Sequence, residues 1–258
     1  MDYKKIISLV KEAGKIAKDK ELLSQVSSKT DSDFVTAVDI SISDFLKTGL
    51  AKITPEIGFM SEEEECEIQP VRWILDPIDG TTNLLYGYNM SSVSLGLCDN
   101  NKILFGVVYN PFTKELFTAV REKGAYRNGK KMKPAEDREL KSCLIEFGAG
   151  VSRKNHTEAN FEIAKDVFMH CLDIRRVCST ALTLCYIADG RLNGYFERAL
   201  KPWDSAAGSL ILEECGGVNT DWNGKPIDFS RPSTYIAGTP KAAAFLLETI
   251  QKHEAKKQ

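Results

Sequence analysis

Histidine is scarce in this chain, with three in 258 residues, and His156, His170 and His253 stand isolated from one another. They read as surface or packing residues. Paired cysteine is missing too: the seven cysteines (Cys66, Cys98, Cys143, Cys171, Cys178, Cys185, Cys215) are odd in number and none has CxxC spacing. That excludes a zinc knuckle and a thioredoxin-type motif. Several sit in apolar segments, where a free thiol packs as a small hydrophobe. No run approaches the ~18 uninterrupted apolar residues of a membrane-spanning helix. The opening Met1-Asp2-Tyr3-Lys4-Lys5 leads into polar-interrupted sequence without the apolar core of a secretion signal. The expected location is a reducing cytoplasm. An excess of charge of either sign is also lacking, with Lys+Arg 34 against Asp+Glu 36 and a net charge of -2. This balance argues against a surface built to grip nucleic acid. The only basic runs, Lys130-Lys131-Met132-Lys133 and Lys256-Lys257, read as a turn and a solvated end.

What is present suffices for a large core: 43% of the residues are hydrophobic and 9% aromatic. Ile6, Leu9, Val10, Ala13, Ile16 and Ala17 recur at helical spacing, predicting an amphipathic helix over 3–23. The polar stretch Ser27 to Asp33 is too rich in turn-formers for regular structure. Helical patterns return over Val38 to Leu50, 157–171, 179–190 and Ser205 to Cys215, the last stopped by Gly216-Gly217. Val71 to Leu75 fits a buried strand that ends at Asp76-Pro77. Residues 93–97, 103–109, 116–120 and 194–196 also read as strands, and Asn128-Gly129 marks a tight hairpin. Helices mixed with antiparallel hairpins exclude a simple βαβ repeat.

The most informative segment is Trp73-Ile74-Leu75-Asp76-Pro77-Ile78-Asp79-Gly80-Thr81-Thr82-Asn83. Two aspartates three positions apart close a strand, and carboxylates held this close repel unless a proton or a cation lies between them. Hard oxygen donors of this kind suit Mg²⁺ or Mn²⁺ rather than zinc. Thr81 to Asn83 opens a short helix whose N–H groups would face an anion beside the metals. Taken alone, the aspartates could equally shape a turn or cap a helix.

The string from Trp73 to Asn83 closely resembles a signature of the inositol monophosphatase family of magnesium-dependent, lithium-sensitive phosphomonoesterases. A second segment, Trp203-Asp204-Ser205-Ala206-Ala207-Gly208 running to Glu214 and Gly216-Gly217, is similar to that family's WDxAAGxxLxxEAGG. Asp33 to Asp39 resembles its DxVTxxD loop, and Ser61-Glu62-Glu63 stands where it has GEE. Similarity continues through Gly106 to Pro111 and Gly124 to Gly129. The resemblance implies an α+β fold, a layered αβαβα sandwich of the inositol monophosphatase and fructose-1,6-bisphosphatase type. It also implies one phosphatase domain with two lobes, roughly 1–140 and 141–258, sharing a single active site, and a homodimer.

By the same resemblance Glu62, Asp76 and the Ile78 carbonyl would hold one metal ion. Asp76, Asp79 and Asp204 would hold a second, with Asp76 bridging and a third ion sharing Glu62. Two such ions, about 3.5–4 Å apart, clamp the attacking and leaving oxygens of an in-line displacement. Thr81 and Asp39 would orient and deprotonate the attacking water, with Glu62 counted in the catalytic set, and the Gly80 and Thr81 amides would receive phosphate oxygens. No Cys or His nucleophile is required. Glu62 heads a run of four acids through Glu65, of which Glu62 is the expected ligand.

Glu197, six residues before Trp203, stands where inositol phosphatases place an acid that accepts a sugar hydroxyl. A carboxylate there suits a neutral polyol and repels a second phosphate. Cys178-Ser179-Thr180 falls where the family usually has Gly-Ser-Ala or Gly-Thr-Ala, which puts side chains where backbone normally approaches the substrate. The leading expectation is hydrolysis of inositol monophosphate. Alternatives sharing the chemistry are 3′-phosphoadenosine 5′-phosphate, fructose 1,6-bisphosphate, histidinol phosphate and NADP. A further alternative is a regulatory, RNA-associated protein that keeps the fold.

Overall fold

Alternation along the strands sorts the apolar residues into three cores, and three cores separated by two sheets make five layers. The computed structural model describes residues 1–30, 33–64, 67–149 and 154–256. Asp31, Ser32, Cys66 and Glu65, the last acid of the 62–65 run, lie outside these. In chain order the elements are α1 (Tyr3–Ile16), α2 (Lys20–Leu23), β1 (Val26–Thr30), β2 (Asp33–Thr36), α3 (Ala37–Ile53), β3 (Gly58–Ser61), β4 (Val71–Asp79) and α4 (Thr81–Leu85). Next come β5 (Ser92–Asp99), β6 (Lys102–Asn110), β7 (Glu115–Val120), β8 (Ala125–Arg127), β9 (Lys130–Lys131), β10 (Leu144–Phe147), α5 (Thr157–Phe168) and β11 (Asp173–Arg175). The chain continues with α6 (Thr180–Ala188), β12 (Gly194–Leu200), α7 (Pro202–Glu213), β13 (Val218–Thr220), β14 (Ser233–Gly238) and α8 (Pro240–Ala255).

Strands β3 to β9 form a seven-stranded sheet in sequential order, parallel only between β3 and β4. A five-stranded sheet runs β11-β10-β12-β14-β13, with β10 parallel to both β11 and β12. On the outer face of the larger sheet, Trp73, Leu75, Leu95 and Val107 pack under Ile6 and Val10 of α1 and Ile42 and Leu46 of α3. On its inner face, Ile74, Val108 and Phe117 meet Leu184 of α6 and Leu210 and Ile211 of α7, with Tyr235 and Ala237 of the second sheet beyond. Ile145, Phe196 and Ile236 face the other way, onto Ile163 of α5 and Leu246 of α8. The result is an α+β, αβαβα sandwich. Small residues let α7 lie close: a Cβ on Gly106 would fall 2.7 Å from the Ala207 carbonyl oxygen.

Several elements depart from the sequence reading. The helix expected over 3–23 breaks after Ile16, because Asp19 accepts from Glu21 N and Leu22 N and starts α2 afresh. Of the stretch expected to be irregular, Ser27 to Thr30 and Asp33 instead lie in the antiparallel strands β1 and β2, where Val26 pairs with Thr36 and Ser27 with Val35. Strand β4 does not stop at Asp76-Pro77 but runs on to Asp79. The pairing with β5 skips there, from Asp76↔Ser94 to Asp79↔Ser92, and a bulge tolerates a proline that has no N–H to give. Helix α7 begins at Pro202 rather than Ser205, since proline is preorganised for the first helical position. Strands β3, β10, β11, β13 and β14 and helix α8 come in addition to the sequence reading. At Asn128-Gly129 the hairpin is present, both residues having positive φ (48° and 76°).

Candidate active site

Asp76 and Asp79 reach the site through the bulge that ends β4. Beyond it Gly80 takes φ +92°, and a Cβ there would lie 3.0 Å from Met90 O and 3.2 Å from Cys178 O. Only glycine fits both demands. The turn releases α4, whose Thr81 Oγ1 donates to Ile78 O at 3.1 Å and lies 3.4 Å from Asp39 Oδ1. Asp39 sits in the first turn of α3 as part of a capping box: Oδ2 accepts Thr36 N at 2.8 Å and Thr36 Oγ1 at 2.6 Å. It is buried behind Thr81 rather than on the cavity wall. Glu62 follows β3, held beside β4 by its N–H to Leu75 O at 3.3 Å. Asp204 comes from the first turn of α7, where Oδ2 accepts Lys201 N at 2.7 Å.

Glu62, Asp76, Ile78, Asp79, Gly80, Thr81, Cys178, Ser179, Thr180, Glu197 and Asp204 all line one cavity of about 440 Å³. The structure therefore brings together every residue expected at the site, with Asp39 one shell behind. Asp79 has a role that sequence did not reveal. Its Oδ2 accepts Ser179 Oγ at 2.5 Å and Ala181 N at 2.8 Å, and its Oδ1 accepts Thr180 N at 3.1 Å, so it caps α6 from another sheet. Glu197 accepts the Tyr195 hydroxyl at 2.8 Å, and the bare Cα of Gly148 makes room for its carboxylate.

The cavity is strongly acidic. Burial, then the charges of Glu62, Asp79, Asp204 and Asp39, hold the Asp76 carboxyl well above the ordinary carboxylate range. Burial also raises Asp79, to about 6, against the hydrogen bonds from Ser179, Ala181 and Thr180 that lower it. Asp204 is pushed up by burial and by Asp79 and Glu62, and Asp39 by burial. Asp76 Oδ1 is buried without a hydrogen-bond partner. An orphan carboxylate oxygen facing like charges is the local signature of a cation site. Glu62, Asp76, the Ile78 carbonyl, Asp79 and Asp204 are hard oxygen donors and could hold Mg²⁺ or Mn²⁺. Among the described residues no three His, Cys, Asp or Glu side chains form a ready-made coordination shell.

The wall segment Glu146-Phe147-Gly148-Ala149 escaped sequence reasoning, as did Arg176 and Tyr195. Glu146 was detectable, being a lone acid inside the apolar run Leu144-Ile145-Glu146-Phe147. It is 3% exposed, and burial raises its carboxyl to about 7.

The chain belongs to the inositol monophosphatase family, whose model matches residues 2–255. It is 35% identical over 232 residues to the Nus factor SuhB of Vibrio cholerae, covering 89% of this chain and 86% of that one. To an inositol-1-monophosphatase of Rhizobium meliloti it is 37% identical over 235 residues, covering 88% and 86%. Among solved structures, the extragenic suppressor protein suhB of Bartonella henselae superimposes with a TM-score of 0.89 at 33% identity, covering 97% of this chain and 98% of that one. An IMPase/NADP phosphatase complexed with Mg²⁺ and phosphate gives 0.85 at 27% identity, covering 95% and 92%. No helix among the described residues is long and apolar enough to cross a membrane.

Proposed function

We propose that this chain hydrolyses a phosphate monoester with Mg²⁺, inositol monophosphate being the leading substrate. One observation carries the reading: the orphan Asp76 oxygen, ringed by Glu62, Asp79 and Asp204, lies beside the Thr81–Asp39 pair. Bound at those acids, two or three Mg²⁺ ions (Mn²⁺ as a substitute) would supply charge neutralisation and water of lowered pKa. Thr81 Oγ1, already directed between Ile78 O and Asp39, orients the attacking water, accepting its proton while passing its own hydroxyl proton to Asp39 behind it. The Gly80 and Thr81 amides, at the open end of α4, receive phosphate oxygens. Glu197, fixed by Tyr195, accepts a hydroxyl of a neutral polyol and disfavours substrates with a second phosphate. Cys178, Ser179 and Thr180 shape the opposite wall. The two lobes, 1–140 and 141–258, act as one domain around this site, and the protein works as a cytoplasmic homodimer.

Magnesium and phosphate bound to a relative of the same fold support this chemistry, and the Rhizobium relative supports the substrate. The test is phosphate release from inositol 1-phosphate, 3′-phosphoadenosine 5′-phosphate, fructose 1,6-bisphosphate, histidinol phosphate and NADP, compared by kcat/KM. Inositol 1-phosphate should rank first, EDTA should abolish release and Li⁺ should inhibit it. A higher rank for a nucleotide or bisphosphate moves the substrate and leaves the chemistry; activity surviving EDTA removes the metal. A second reading, a regulatory protein of this fold, is favoured by the name Nus factor on the Vibrio relative. It predicts no release from any ester.

A further inference from the structure

The turn entering α6 is held in a conformation that its own residue disfavours. Cys178 has φ +58°, where an L side chain crowds the following carbonyl. A glycine at this position would adopt that backbone without strain. Opposite the turn stands Glu146, a buried acid that hydrolysis as proposed does not use. Its Oε1 accepts Val177 N at 2.6 Å and Cys178 N at 3.1 Å, and its Oε2 accepts Thr183 Oγ1 at 2.8 Å. One carboxylate on β10 thus ties both backbone donors of the turn to the first turns of α6. Asn83 Nδ2 closes the other side, donating to Val177 O at 2.7 Å. Directly after the turn, Ser179, Thr180 and Ala181 make their three bonds to Asp79.

The geometry points to Glu146 as a positioning residue for ester hydrolysis: its carboxylate holds Cys178 in the left-handed conformation and so sets Ser179, Thr180 and Ala181 on Asp79. This rests on the proposed phosphatase reading. Hydrogen bonding, not charge, is the operative property, because the turn needs acceptors. Glutamine at this position keeps one acceptor oxygen toward Val177 N and Cys178 N; leucine keeps the bulk and removes it.

The experiment is a double-mutant cycle between Glu146 and Cys178, read in kcat/KM with Mg²⁺. Glu146→Leu should lower kcat/KM by about tenfold or more, as misplacement of a site does. Glu146→Gln should stay within about threefold of the parent. In a C178G background, where the turn needs no clamp, Glu146→Leu should cost under about threefold. Equal losses in both backgrounds would overturn the proposal, since a merely structural acid does not couple to φ at Cys178. Should Glu146→Leu not fold, Glu146→Met carries the same arms. Amide exchange over residues 177–183 reads the clamp without substrate: it should quicken in Glu146→Leu and recover when C178G is added. If the parent releases phosphate from no ester, the functional reading fails. The exchange data then decide the clamp alone, unchanged exchange in Glu146→Leu overturning it.

Discussion

Asp79 answers to two neighbours at once. It contributes charge to the acidic cavity while receiving Ser179 Oγ, Thr180 N and Ala181 N from the start of α6. Asp79→Asn removes the charge and turns an NH₂ toward one of these donors. Turnover should fall by roughly three orders of magnitude or more, and stability by about 1–2 kcal/mol from the damaged cap, measured by phosphate release and urea unfolding. Glu146 makes a separate prediction. Its folded carboxyl titrates at about 7, raised by burial from 4.5. The unfolded chain therefore loses this proton first, and the group costs stability as pH rises from about 4.5 to about 7. The displacement corresponds to roughly 3 kcal/mol. Glu146→Gln should flatten the fall in Tm across that window, and an unchanged pH profile would assign the slope elsewhere. Asp76 and Asp79 were visible in the sequence as a repelling pair, but the cap on α6 was not. It joins residues about a hundred positions apart, which no local pattern encodes.

Among the elements, the β4–α4 junction and the β6–α7 contact use glycine for different physical reasons. Gly80 supplies a positive φ and a close approach to Met90 O; Gly106, in an ordinary strand, supplies room for the Ala207 backbone. Gly80→Ala should cost about 1–3 kcal/mol and also depress kcat, because the strain falls on the turn that presents Thr81. Gly106→Ala should destabilise by a similar ~1–3 kcal/mol and lower activity less, shifting Tm more than kcat/KM. The sequence showed the strand and the glycine turn of the first motif. It misplaced the strand end, since Pro77 reads locally as a terminator and only the skipped pairing with β5 makes it tolerable. The pairing of β1 and β2 was hidden for a similar reason. Ser, Lys and Thr there carry little strand pattern, and the partner strand supplies the order.

For the whole molecule, Glu62 follows β3, Asp76 and Asp79 lie on β4, and Asp204 lies on α7, so a cation bound among them would cross-link distant parts of the chain. All three aspartates are raised above the ordinary carboxylate range, Asp79 to about 6. Without metal, stability should therefore fall as pH rises above about 4 toward 6 and beyond, because the unfolded carboxyls ionise first. Mg²⁺ at a hundred times its Kd should restore about 2.7 kcal/mol, read as a rise in Tm over the EDTA value. Asp76→Asn should match or exceed the parent's Tm in EDTA, one repelling acid being gone, yet lose the Mg²⁺ response. A full Mg²⁺ shift in that variant would exclude Asp76 from the cation site.

The sequence by itself determined the strand and helix alternation, the mixture of helices with antiparallel hairpins, and the two motifs whose acids line the cavity. These are local properties: strand and helix periods, turn residues, and residue types suited to hard cations. Only the tertiary structure decided that Asp76 keeps an unpartnered oxygen, that Asp79 caps α6, and that Glu146 accepts the backbone N–H groups of Val177 and a left-handed Cys178. Each of those depends on where residues far apart in the chain come to lie when two sheets close over α6 and α7. Burial there, rather than residue type, sets the hydrogen bonds and the proton affinities.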